Sequence, residues 1–209
     1  MILRRGDVDY FFYCRDRPGT WALRSELTED HWAFMDRYAD TMIARGPTFT
    51  ADGTAVTGSM HIVGLPDEAA AHEFAFEEPN HKAGVYEEEV LVRRWRNALG
   101  RTMWEFTGAA AGHRRFLIIA HGKPGTTTAH APLDAAHHRY LDRGYREHLI
   151  AYGPLLSPDG GAWTGTALLV ELRDRSAAET MMADEPYARE GLYESVEIHD
   201  WQFGGRPAA

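Results

Sequence analysis

An imidazole titrates near neutrality, so a histidine beside apolar side chains can take a proton from carbon or oxygen and return it elsewhere. Two histidines of this chain are placed alike. His31 opens HWAFMDRYADTMIARGP (31–47) and His138 opens HRYLDRGYREHLIAYGP (138–154), and both the histidines and the closing Gly-Pro pairs stand 107 residues apart. A phrase written twice at half the chain length marks an internal duplication, which decides the architecture before any single residue can be interpreted.

The elements that must position these imidazoles repeat as well. Asp9–Cys14 and Phe116–Ala120 are short apolar runs that predict buried strands, each followed by Pro-Gly. His31, Phe34, Met35, Tyr38, Met42 and Ile43 follow helical spacing, as do His138, Leu141, Tyr145, Leu149 and Ile150. Thr28 and Asp134 are the expected N-caps, with Gly46 and Gly153 the expected helix ends. Asp52-Gly53 and Asp159-Gly160 predict turns, and Thr57-Gly58-Ser59 and Thr164-Gly165-Thr166 open new strands. Asp67 and Asp174 cap a second helix, expected to end at Glu78-Pro79 and Glu185-Pro186, because a residue before proline is pushed out of helical geometry. A last strand runs to Trp95 and Trp201.

Each half therefore reads β-α-β-β-α-β, a ferredoxin-like antiparallel sheet with helices on one face. About 100 residues cannot cover both faces of such a sheet. The expected fold class is thus α+β, with two tandem ferredoxin-like repeats packed sheet to sheet as an intrachain dimeric α+β barrel. The expected domains are residues 1–100 and 113–204, and the Gly/Ala-rich connection between them acts as a spacer.

Composition bounds the partners. An apolar content of 44% with 25% charged residues is that of a globular chain with ample core. A net charge of −9 argues against nucleic acid, and no window resembles a membrane span. The N-terminal MILRRGDVDYFFYC lacks the apolar core of a secretory signal, and Cys14 has no disulfide partner, so the expected location is cytoplasmic. Despite eleven histidines, no HExxH, CxxC or His-His-carboxylate spacing calls for a metal. The serines at 25, 59, 157, 176 and 195 lack a nucleophile-elbow context. Trp32 and Trp163 could line a pocket for a flat ligand, although packing alone would also explain them.

The ordered set (helix-opening His, Gly-Pro, Asp-Gly turn, TG[ST], Ala-rich helix, acid-Pro, G-[VL]-Y, terminal Trp), present twice, resembles the YCII-related domain of the dimeric α+β barrel superfamily. The resemblance covers about residues 9–95 and 114–201. It implies a site formed by a histidine at the start of the first helix and an aspartate before proline. One relative eliminates HCl from a chlorinated hydroxyquinol, muconolactone isomerases share the wider fold, and many members have no assigned activity. Carried over, the histidine falls on His31 and on His138. His137 is the rival, since counting from Asp134 favours it and counting back from Gly153 favours His138. The carboxylate falls on Glu78 and Glu185, glutamate replacing aspartate in both copies, with Asp184 adjacent as an alternate.

A histidine whose tautomer a carboxylate fixes suits elimination, tautomerisation or cyclisation of a small cyclic or aromatic substrate, without a cofactor. The leading expectation is such a lyase or isomerase, with His138 and Glu185 as the principal pair and His31 and Glu78 as a second. A non-catalytic ligand-binding or partner-regulating module is one alternative; a cofactor-independent oxygenase or a haem protein of the wider superfamily is another. The fused pair could associate again as a homodimer. A hydrogen-bonded core histidine and a helix-ending acid-Pro would leave the same sequence pattern.

Overall fold

In the computed structural model, residues 8–108 and 110–206 are described; the first seven residues of the N-terminal stretch and Ala109 of the connection lie outside them. The described residues up to Trp95, joined by those from Gln202 on, form one compact unit, and Arg96–Trp201 forms the other.

The first unit comprises β1 (Val8–Asp16), α1 (Trp21–Glu26), α2 (Thr28–Asp36), β2 (Met42–Phe49), β3 (Val56–Leu65), α3 (Glu68–Phe76), α4 (Pro79–Lys82) and β4 (Tyr86–Trp95). Its sheet runs β2-β3-β1-β4 with every neighbour antiparallel, Phe12 standing opposite both His61 and Val92. The second unit repeats this with β5 (Arg114–Gly122), α5 (Asp134–Tyr145), β6 (Leu149–Leu156), β7 (Trp163–Leu172), α6 (Arg175–Asp184), α7 (Pro186–Arg189) and β8 (Tyr193–Trp201). There the order is β6-β7-β5-β8, with Ile118 opposite Leu168 and Ile198. The chain is thus two tandem ferredoxin-like units.

Alternation sends every second strand residue toward the helices. In the first unit Tyr10, Phe12 and Val63 meet Phe34 and Met35 of α2 and Phe74 of α3. In the second, Phe116, Ile118 and Leu168 meet Leu141 of α5 and Met181 of α6. The TG[ST] glycines let two strands close up: a Cβ on Gly58 would lie 2.3 Å from the Cys14 carbonyl oxygen, and one on Gly165 2.2 Å from that of Ala120.

Two local expectations are corrected and a third is extended. The first helix of each repeat stops before Met42 or Leu149, and Gly46-Pro47 and Gly153-Pro154 lie inside β2 and β6. Met42-Ile43-Ala44 is a fully buried strand, and periodicity cannot separate so short an apolar run from the end of a helix. Thr28 and Asp134 are first residues of their helices rather than side-chain caps. Acid-Pro ends the second helix as expected, at the C-caps Glu77 and Glu185, and also caps a further helical turn that was not expected. The caps of the second helices hold: Asp67 accepts from the Ala70 N–H and Asp174 from that of Ala177, each at 2.9 Å. Among the described residues no helix is long and apolar enough to cross a membrane.

Candidate functional site

Glu78 is placed by the proline that follows it. Extended at φ −63°, ψ 132°, it caps the single turn of α4, with Pro79 as the first helical residue. Its Oε2 accepts the backbone N–H of His81 at 3.0 Å, leaving Oε1 to accept from His31 Nδ1 on α2 at 2.6 Å. Both carboxylate oxygens are engaged, so glutamate spans the distance in this frame. With Nδ1 as donor, Nε2 is the nitrogen left to act as a base.

The second unit builds the same pair with a different histidine. Glu185 caps α7 through the Ala188 N–H at 3.0 Å, and its other oxygen bonds His137 Nδ1. His138, expected opposite Glu185, instead contacts the Tyr152 hydroxyl at 3.1 Å. Burial and the neighbouring His137 lower its pKa. Successive helical residues point about 100° apart, so only one of the two can face Glu185. His31 matches His137 at a spacing of 106 residues, but Met42 matches Leu149 at 107, so the extra residue falls after the histidine. Asp184 is exposed and bonds Arg189 at 2.8 Å, away from either histidine.

The histidine of each pair lines a hollow, of about 260 Å³ in the first unit and about 250 Å³ in the second. Trp32 lines the first and Trp163 the second. The linings differ in chemistry. The first contains Arg24, Arg45, His61, Ser59 and Asn80; the matching positions in the second copy are His130, Tyr152, Leu168, Thr166 and Tyr187. Tyr187 stacks on the His137 ring at 4.2 Å between centroids and 9° between planes. The His137 side chain is 5% exposed and that of His31 16%. His61 is buried against Phe74; desolvation, and then His31, Arg45 and Arg24, press its pKa well below the ordinary value.

Sequence reasoning did not find Arg24, His61, Asn80 or Tyr187, and set Ser59 aside for lacking a nucleophile context. Their signal was present as disagreement between the copies: positions that a shared fold should keep alike change from cationic or amide to aromatic or aliphatic. Among the described residues no group of three or more His, Cys, Asp or Glu is placed to hold a metal ion.

The dehydrochlorinase acting on 5-chloro-2-hydroxyhydroquinone from Burkholderia phenoliruptrix AC1100, solved with 2,5-dihydroxybenzoquinone, is 24% identical to this chain. The match covers 43% of this chain and 95% of that one, with a TM-score of 0.40. Chlorite dismutase from Candidatus Nitrospira defluvii, solved with imidazole, is 10% identical over 94% of this chain and 91% of its own, with a TM-score of 0.56. At such identity that likeness shows the fold alone. No curated protein matches the chain. The family model for the YCII-related domain matches residues 8–96 and again 114–202, the two stretches that carry the His–Glu pairs, and the chain belongs to the YCII-related domain family.

Proposed function

We propose that the chain is a general acid–base enzyme, a lyase or isomerase of small cyclic or aromatic molecules, working through His31 and Glu78 in the first unit. The observation that carries this reading is the 2.6 Å bond from His31 Nδ1 to a carboxylate whose other oxygen is tied to the backbone, beside a hollow that a small ring can enter. Nε2 takes a proton from a C–H or O–H next to an electron-withdrawing group of the substrate, and Glu78 stabilises the imidazolium that forms. The same proton returns to another substrate atom in an isomerisation. In an elimination, the electron pair left behind expels a leaving group. Neither course requires a redox partner, and assistance of this kind contributes about 10²–10⁴ in rate.

The second copy fits a non-catalytic role better, because Tyr187 covers the His137 ring. The test is turnover of a panel of enolisable and halogenated hydroxylated rings, followed by proton release or chloride release. His31→Asn is expected to lower kcat by about two orders of magnitude or more, with a stability loss of no more than about 1–3 kcal/mol for the broken bond to Glu78. Undiminished turnover in a folded His31→Asn protein would reject the reading.

A further inference from the structure

The hollow beside His31 carries a charge pattern that acid–base chemistry alone does not require. Arg24, Arg45, His31 and His61 line it, while the carboxylates that pair with three of them, Asp16, Asp36 and Glu78, stand outside the lining. Arg24 is held by Asp16, its Nη1 donating to Oδ1 at 2.8 Å, and its Nη2 donates to Ser59 Oγ at 2.7 Å. Tyr86, which burial keeps protonated, donates to the same Ser59 oxygen at 3.1 Å. Ser59 thus accepts twice, which turns its own O–H toward whatever fills the hollow. Asn80 Nδ2 donates to the Tyr86 oxygen at 3.1 Å.

We infer that the first-unit hollow binds a planar ring carboxylate. The carboxylate accepts from Ser59 and the Arg24 guanidinium. Trp32 supplies an apolar wall. The second hollow presents a different set. Thr166, His130 and Tyr187 stand at the matching positions, and Asp134 adds a carboxylate to a lining whose guanidinium is Arg96. This assignment rests on the acid–base reading for its biological meaning, but the binding it predicts involves no turnover.

Salicylate and salicylamide share the ring and hydroxyl and differ in the charge, so they are the probes, read by isothermal titration calorimetry and by quenching of Trp21 and Trp32 fluorescence. Salicylate is expected to bind at least tenfold tighter than salicylamide, with the gap narrowing at high salt. Arg24→Gln should weaken salicylate at least tenfold and salicylamide less than twofold. If that variant fails to fold, Ser59→Ala should weaken salicylate three- to tenfold with little effect on the amide. Equal affinity for acid and amide, no saturable binding of salicylate, or equal loss of both in the folded variants would overturn the assignment. A Glu78→Gln protein separates the two readings. Retained preference for the acid beside undiminished turnover would sink only the acid–base proposal. Lost turnover with acid and amide bound alike would sink only this one.

Discussion

Glu78 serves two structures at once, and its substitution shows which atoms matter. In Glu78→Gln the oxygen can keep the His81 N–H, but the amide NH2 can only donate to His31 Nδ1, which puts the ring proton on Nε2 and removes the base. The expected result is loss of turnover with a cost of only about 1 kcal/mol in urea unfolding, for a charge-assisted bond replaced by a neutral one. His61 makes a separate prediction about acid. Its pKa is depressed in the folded chain, so between that value and the ordinary one near 6.5 the unfolded state binds more protons. Stability is therefore complete above about pH 7 and is lost as pH falls below the ordinary imidazole value. The groups that face His61 from neighbouring elements, His31, Arg24 and Arg45, carry or can gain positive charge and act in the same direction. His61→Leu, which installs the residue the second copy has at Leu168, is expected to flatten the fall in melting temperature between about pH 7 and 5. An equally steep fall in the variant would place the acid sensitivity elsewhere. At this scale the sequence revealed the histidine-bearing helices and both glutamates. It favoured His138 where His137 meets Glu185, because that choice turns on where a single inserted residue falls.

At the scale of elements, α3 is anchored by one side chain. Phe74 lies 4.6 Å from Phe12, 4.9 Å from Tyr38 and 5.7 Å from His61, ring centre to ring centre, and is buried. Phe74→Ala should cost about 3–5 kcal/mol in a denaturant titration, because the rings around it cannot all collapse into the space. A loss under about 1 kcal/mol would mean that α3 is held mainly by its Asp67 cap and other contacts. Strands β1, β3, β5 and β7 and the caps at Asp67 and Asp174 were legible because apolar runs bounded by turn residues and an Asp before an Ala-rich stretch have a local cause. The second strand of each repeat was not. MIARGPTF begins with helix-compatible apolar residues and contains Gly-Pro, so its strand character comes from pairing with β3, a tertiary fact. The acid-Pro pairs were legible in part: the restriction on the pre-proline residue ends the second helix as expected, and the same residue caps a further turn that the pattern alone did not reveal.

Over the whole molecule, duplication has preserved a frame and let its two hollows diverge. Both copies keep the strand order, the capping glutamate and its bonded histidine. What changed are the positions around the imidazole, where Asn80 gives way to Tyr187 and Arg24 to His130. The tail that follows β8 also belongs to the first unit: Gly204 donates to the Arg45 carbonyl at 3.0 Å, and Arg206 bonds Glu29 and Asp36 on α2. Gly204 and Gly205 thereby line the first hollow. A chain with two equivalent active sites would lose about half its turnover when either histidine is replaced. The asymmetry described here predicts something else. His137→Asn should leave kcat within about twofold of the parent while lowering stability by about 1–3 kcal/mol, since it breaks a buried bond to Glu185. His31→Asn should remove turnover. Salicylate titration of the parent should saturate at one molecule per chain. Two sites per chain, or equal loss of kcat from the two substitutions, would show that the stacked Tyr187 does not close the second copy to chemistry.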